Sequence, residues 1–329
     1  MENNHTEEDL EEIKIRKPLS KNQKRAIFIS VIVAVAGFVG IFLILEINRL
    51  QKRLILATTT STYDSGLLDY LLPIFEEQSG ITIEIISVGT GQAIEIGQNG
   101  DADVLLVHSR TREDEFIDDE YGLHRVCVMY NDFIIVGPVA DPANINGENV
   151  SETMTRLKNA GELGTIEFYS RGDESGTHSK ELALWSEIGF TPDSETDTWY
   201  LETGAGMGDT LTITDENDGY TLVDRGTWLS ARDKLDLILL VEGGEILLNP
   251  YGAMVINPDK NTGIKYKKAI VFIAFLVSEE GQDLIGDYKK DGEVLFHPCF
   301  GICDETHSCP TTDEEVEFWK EYNGGYTGP

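Results

Sequence analysis

The stretch "RLILATTTSTYDSGLL", residues 53–68, reads as a strand, a loop of five consecutive hydroxyl residues (Thr58 to Thr62) and the start of a helix. "LILA" has the aliphatic run of a buried strand, and apolar positions 67, 68, 71, 72 and 75 recur at helical spacing. Pro73 falls inside that helix and is expected to kink or shorten it. Hydroxyls at such a junction can cap the helix. They can also join its unpaired first-turn N–H groups in holding an anion.

Two more segments repeat this grammar: "SVGTGQAIE" (87–95) and "YSRGDESGTHSKE" (169–181). At any one junction capping is the plainer reading. Three junctions in one chain, one of them carrying Arg171, favour a composite anion site, because a guanidinium fork matches the edge of an oxyanion. The competing fate of Arg171 is a salt bridge to Asp173 or Glu174.

From Arg53 onward, strand patterns near 54–57, 82–88, 103–108, 127–130, 133–137, 166–170, 220–223, 235–241 and 251–257 alternate with helical patterns near 65–78, 91–99, 151–160, 178–189, 207–217 and 264–288. Such alternation predicts an α/β fold with parallel sheets covered by helices.

The formal net charge is −32, from 58 acidic and 26 basic residues. A nucleic-acid partner is thereby excluded as an expectation, since the dense basic stripe it needs is missing. "AIFISVIVAVAGFVGIFLIL" (26–45) carries no charge and has the length of a bilayer span. Basic residues crowd its N-terminal side, which predicts a cytoplasmic tail (1–25), an uncleaved anchor (26–45), a linker (46–53) and a binding part outside the cell. The tail holds six acidic and six basic groups, so the −32 belongs to the outer part. In that oxidising setting the cluster Cys299, Cys303 and Cys309 is expected to hold a disulfide of open pairing rather than zinc, and Cys127, within "RVCVMY", is expected to be a buried thiol. "NVS" at 149–151 fits a glycosylation sequon.

Other motifs fail on inspection. "GTGQAI" lacks the third glycine of a dinucleotide fingerprint, and "GAGMGD" (204–209) lacks the G-K-[ST] of a P-loop. Ser175 and His178 invite a hydrolase reading, but no G-x-S-x-G elbow accompanies them. No catalytic constellation emerges, so no enzyme activity and no cofactor is expected.

Taken together, "ATTTSTYDSGLL", "SVGTGQAIEIGQNGDADVLLVHS", "VMYNDFIIVGP", "SRGDESGTHSKELALW", "GAGMGDTL", "YTLVDRGTW" and "LLNPYGAMVINP" resemble the tungstate-binding subunit of ABC-type importers, in order from about residue 54 to 298. The resemblance implies a two-lobed periplasmic binding protein (type II) clamp, each lobe a mainly parallel sheet flanked by helices. Lobe 1 would comprise 54–131 and 251–329, and lobe 2 would comprise 132–250. It also implies tungstate or molybdate as ligand, an ABC permease and ATPase as partners, and a monomeric outer domain. The family's oxyanion contacts carry over to Thr59, Thr60, Ser61, Thr90, Gly91, Arg171, Ser175 and Thr177, with Thr62 left to cap the helix. A phosphate receptor is the rival, with Asp64 or Asp173 as the acceptor that hydrogen phosphate needs; an extracytoplasmic hydrolase is the more distant one.

Overall fold

The computed structural model describes residues 52–173, 175–302 and 313–323, with scattered positions between Ser20 and Gly40. The chain falls into two units, 1–52 and 53–329. In the first, the described positions beyond Ser20 are helical, Lys21, Arg25 and Gly37 to Gly40 among them. No helix among the described residues is long and apolar enough to cross a membrane, and most of the 26–45 block lies outside them.

The second unit alternates strands and helices. In chain order these are β1 (Arg53–Thr59), α1 (Thr60–Asp64), α2 (Leu67–Ser79), β2 (Thr82–Val88), α3 (Thr90–Gln98), β3 (Val104–Val107), α4 (Arg110–Asp118) and β4 (Gly122–Gly137). Then come α5 (Val150–Glu162), β5 (Phe168–Ser170), α6 (Gly176–Glu187), β6 (Tyr200–Glu202), α7 (Met207–Glu216), β7 (Thr221–Asp224), α8 (Arg225–Ala231), β8 (Ile238–Val241) and β9 (Leu248–Ile256). The chain closes with α9 (Tyr266–Leu276), α10 (Glu279–Asp287), three two-residue strands β10 (Lys289–Lys290), β11 (Glu293–Val294) and β12 (His297–Pro298), and α11 (Asp313–Tyr322).

β4 organises the topology. Its first part pairs with β9 and β12, in the sheet order β12-β4-β9-β3-β1-β2; its last residues, Phe133 to Gly137, pair instead with β7 and β8. β5 and β6 form a parallel pair linked to this second group by a bridge from Phe168 to Tyr220. The expectation of mainly parallel sheets is corrected here. β1–β2, β1–β3 and β5–β6 are parallel, whereas every pairing of β4 and β9 is antiparallel. The chain leaves the first group of strands along β4 and returns along β9, so these two must run in opposite directions.

Four local readings also change. The segments 127–130 and 133–137 are one strand, because Asn131 and Asp132, which read as a break, stay in register with Asn249 and Leu248. Asn131 accepts from Asn249 Nδ2 at 2.8 Å, and Asp132 is held by both nitrogens of the Arg225 fork at 2.6 Å. The 264–288 helix is two helices, because Ser278 donates to Phe275 O at 2.7 Å while capping α10 through Gly281 N. α2 runs on past Pro73 to Ser79, so the proline does not end it. Finally, Cys127 is disulfide-bonded rather than a thiol. The pairing of Pro298 with Met129 brings the C-terminal cysteine segment against β4, with the sulfurs of Cys299 and Cys127 3.2 Å apart. Cys303 and Cys309 lie outside the described residues.

One large core spans both groups of strands, joining Leu54, Val104 and Val255 to Met207, Leu211 and Trp228. Ala57, Leu105, Val107, Met254 and Ile256 pack under Ala93, Ile94 and Phe116 of α3 and α4. Phe133, Ile135, Phe168, Trp185, Tyr200 and Tyr220 form a second apolar cluster under α5 and α6. These cores hold the helix N-termini in place at the strand ends.

Candidate ligand-binding cleft

The loops that follow β1, β2, β3, β5 and β6 converge on one cavity of about 720 Å³. Its lining includes Thr60, Thr90 and Gly91 from one group of strands, and Arg171, Asp173, Ser175 and Gly206 from the other. A second cavity of about 420 Å³ shares Thr60, Arg171 and Gly206 and adds Ser61, Asp64 and the first turn of α7.

The five hydroxyls divide their work. Thr58 ends β1 and donates to Leu106 O at 2.7 Å. Thr59 Oγ1 caps α1, accepting from Thr62 N at 3.3 Å, and is bonded to Thr62 Oγ1 at 2.6 Å. The cap is therefore Thr59, and Thr62 is its buried partner, the reverse of the sequence expectation. Thr60 is exposed to the cavity, and Ser61 faces the second cavity. Thr59 and Thr177 are buried and line neither.

α3 and α7 begin on Gly89 and Gly206, and neither helix has a side-chain cap. Their first-turn N–H groups are therefore left without a side-chain acceptor, at the positive end of the helix dipole and on residues that line the two cavities. α6 is capped by Ser175, whose Oγ accepts from His178 N at 3.2 Å and keeps its own proton for donation.

Arg171 is 9 % exposed and its Nη2 is bonded to Asp173. Asp173 also accepts from Ser175 N at 3.1 Å, so both of its oxygens are engaged in holding the loop. Two buried polar atoms in the cavity wall, Arg171 Nε and Thr90 Oγ1, find no hydrogen-bond partner among the described residues. A buried donor left without an acceptor is costly.

Behind the cavity, His108 follows β3 and is bonded through Nδ1 to Asn249 Oδ1 at 3.0 Å. Asn249 passes the link to Asn131 and to Tyr251 Oη, at 2.8 and 3.2 Å. Burial first, and the nearby Arg171 and Lys180 charges, hold the His108 imidazole down at about 4, so it is neutral. Its ring abuts Gly176, where a Cβ would lie 2.5 Å from Cε1. Lys180, lowered to about 8 by burial, donates to Ile246 O and Leu248 O at 2.9 and 3.1 Å and so ties α6 to the start of β9.

Sequence reading missed several wall residues. Gly206 and Met207 belong to the "GAGMGD" segment, where the failed P-loop match hid a glycine-started helix. Gln92 and Arg112 also line the main cavity, and Arg112 Nη1 lies 2.9 Å from where a Gly91 Cβ would stand. The segment "HSRTREDEF" (108–116) has the same strand, hydroxyl and helix order as the other three, which was the available signal.

Residues 47–280 match the PBP superfamily domain. The chain is 49 % identical over 257 residues to a protein named tungstate-binding protein TupA from Peptoclostridium acidaminophilum, covering 77 % of this chain and 88 % of that one. The chain belongs to the tungstate-binding-protein family. A second relative in this family, from Campylobacter jejuni, is 37 % identical over 72 % of this chain and 87 % of its own length. The solved tungstate-binding protein TupA from Desulfovibrio alaskensis G20 is 42 % identical, with a TM-score of 0.67, over 75 % of this chain and 98 % of that chain. A solved structure titled tungstate ABC transporter, from Geobacter sulfurreducens, is 45 % identical at TM-score 0.65, covering 72 % and 99 %. The Azotobacter vinelandii periplasmic molybdate-binding protein, 15 % identical at TM-score 0.52 over 70 % of this chain and 95 % of its own, shares the fold.

Proposed function

We propose that this chain is the extracytoplasmic substrate-binding subunit of an ABC importer, taking tungstate, with molybdate as the alternative cargo, into the cleft between its two groups of strands. The observation that carries the reading is the pair of buried donors, Arg171 Nε and Thr90 Oγ1, on two residues of one cavity wall and without an acceptor among the described residues. Tungstate and molybdate near neutral pH carry no proton and only accept hydrogen bonds. The Thr60 and Ser175 hydroxyls, the first-turn N–H groups of α3 and α7 and the Arg171 guanidinium answer that need, and each bond counts for more in a desolvated cleft.

Hydrogen phosphate would also need an acceptor from the protein. Asp173 is committed to Arg171 and to Ser175 N; Glu95, Glu115 and Asp119 also line the main cavity and Asp64 the second, so phosphate is the rival that the titration below must separate. The names of the relatives support a binding role rather than a reaction.

In this reading, residues 54–131 and 251–329 form one lobe, 132–250 the other, and β4 and β9 are the crossing strands. Residues 26–45 anchor the chain with its short tail in the cytoplasm, and the outer part hands the anion to a permease driven by a cytoplasmic ATPase. The −32 charge gives no long-range attraction for anions, so selectivity is local to the cleft. Calorimetric titration of the full chain with tungstate, molybdate, sulfate and phosphate is the test. Tight binding of the first two with at least about a hundredfold preference over phosphate is expected, a discrimination of the size left by unmatched buried polar groups. Equal or tighter phosphate binding would overturn the assignment.

A further inference from the structure

α4 carries two arginines in its first turn, and their side chains part ways. Arg110 Nε donates to Asp114 Oδ2, on the same helix, at 2.9 Å. Arg112 reaches across to α3. Its Nη1 lies 2.9 Å, and its Cζ 3.9 Å, from where a Cβ on Gly91 would stand, so the guanidinium rests on the first turn of that helix. The spacing along α4 accounts for this. Arg112 and Phe116 are four residues apart and share one side of the helix. Phe116 packs with Ala93 and Ile94 of α3, and a Cβ on Gly97 would meet its Cζ at 3.1 Å. α3 and α4 therefore lie side by side with their first turns at the same end. Glu113 fixes the rotation of α4. It is fully buried and accepts from Ser109 N at 2.8 Å and from Arg125 Nε and Nη2 at 2.9 and 2.7 Å.

We propose that Arg112 is a second cationic contact for the bound oxyanion, supplied by the first group of strands as Arg171 is by the second. This rests on the receptor reading above and names a further residue of the same site. Two observations carry it. A guanidinium on the first turn of α4, laid against the first turn of α3, stands at the positive ends of two helix dipoles, where a cation is disfavoured. An anion bound there turns that repulsion into attraction. Next to Gly91, Thr90 is 1 % exposed, and its Oγ1 has no hydrogen-bond partner among the described residues. Thr90, Gly91, Arg112 and Arg171 all line the main cavity, so a buried donor and a cation meet on one helical turn of its wall. Glycine at 91 leaves the room that the guanidinium occupies. Glu95, Glu115 and Asp119, further along the same two helices, also line this cavity, and a purely structural pairing of Arg112 with them is the competing role.

The test is calorimetric titration of the full chain with tungstate at about 0.15 M and about 1 M sodium chloride, where charges are screened over roughly 8 and 3 Å. Arg112→Gln is expected to bind about tenfold more weakly at the lower salt, the worth of one charge-assisted hydrogen bond. A contact escapes screening, so a loss of at least about fivefold should remain at the higher salt. Arg112→Lys keeps the charge without the fork and should recover part of the affinity. Arg110→Gln, at the arginine spent on Asp114, should bind within about twofold of wild type. A thermal melt separates contact from scaffold. Arg112→Gln takes a cation away from two positive helix ends, so the ligand-free variant should melt no lower than wild type. Wild-type affinity in Arg112→Gln, a loss that vanishes at 1 M salt, or a loss matched by a lowered melting temperature overturns the proposal. A wild-type chain that binds no tungstate overturns instead the receptor reading.

Discussion

Replacing Arg171 by alanine removes the one guanidinium that both cavities share. Its Nη2 is spent on Asp173, while Nε is buried with no acceptor among the described residues. A charge-assisted hydrogen bond to an ion contributes about 1.5–3 kcal/mol. The truncation also strips Asp173 of its cation, leaving a carboxylate on the wall of a site for a dianion, and breaking such a pair costs roughly 2–5 kcal/mol at an interface. These losses overlap, so the combined figure is about 3–5 kcal/mol, or roughly two hundred- to several thousandfold in Kd. Arg171→Lys keeps the charge and loses the fork, so it should fall between, about 1–3 kcal/mol weaker than wild type. Adding Asp173→Ala to Arg171→Ala should recover part of the loss by removing the repulsion. Calorimetry on the variants, with thermal melts to check folding, reads all of these. A well-folded Arg171→Ala protein binding tungstate within about tenfold of wild type would refute the placement of the anion against this residue.

Three further outcomes follow from the same geometry. Thr90→Val removes a buried hydroxyl that has no hydrogen-bond partner among the described residues, so the free protein should gain up to about 1 kcal/mol while tungstate affinity drops about five- to tenfold; a melt and a titration showing changes of the same sign would contradict this. Gly176→Ala drives a Cβ to 2.5 Å from His108 Cε1 in a buried contact, and a melt should show about 1–3 kcal/mol of destabilisation. His108, neutral down to about 4 when folded, makes stability rise with pH between about 4 and its unfolded value near 6.5, because the unfolded chain binds the extra proton there; the span corresponds to on the order of 3 kcal/mol, lost as pH falls. Glu181, raised to about 7, contributes the opposite slope over much of the same window. The two should largely cancel in wild type, so Glu181→Gln should become acid-sensitive and His108→Asn acid-stabilised in chemical denaturation at about pH 5.

The strand–hydroxyl–helix junctions were legible from the sequence because each is local: a strand run, small residues and a helix start within about a dozen positions. That was enough to bring Thr60, Thr90, Gly91, Arg171 and Ser175 to one cavity. What stayed hidden depends on distant partners. Asn131 and Asp132 read as a loop because polar residues in a strand centre make sense only once Asn249 and Arg225 are beside them. The antiparallel character of β4 and β9 follows from the chain crossing twice, which periodicity does not report. Cys127 looked like core because the C-terminal cysteine segment comes beside it only through the β4–β12 pairing, across about 170 residues. Within "TTTST" the division of labour turned on which hydroxyl holds the non-helical φ/ψ of the cap, and that is Thr59. Glycine-started helices such as the one after Gly206 give a weak local signal, because the absence of a side-chain cap is what makes their N–H groups available.

The central claim is that one anion sits between the two groups of strands, against Arg171 and Thr90. A crystal structure of the full chain with tungstate, located by the anomalous signal of tungsten, tests it most directly. The account predicts a single tungsten in the cavity lined by Thr60, Thr90, Gly91, Arg171 and Ser175, with its oxygens within hydrogen-bond reach of Arg171 Nε and Thr90 Oγ1. Tungsten found elsewhere, or Arg171 Nε and Thr90 Oγ1 still without an acceptor in the complex, would contradict it.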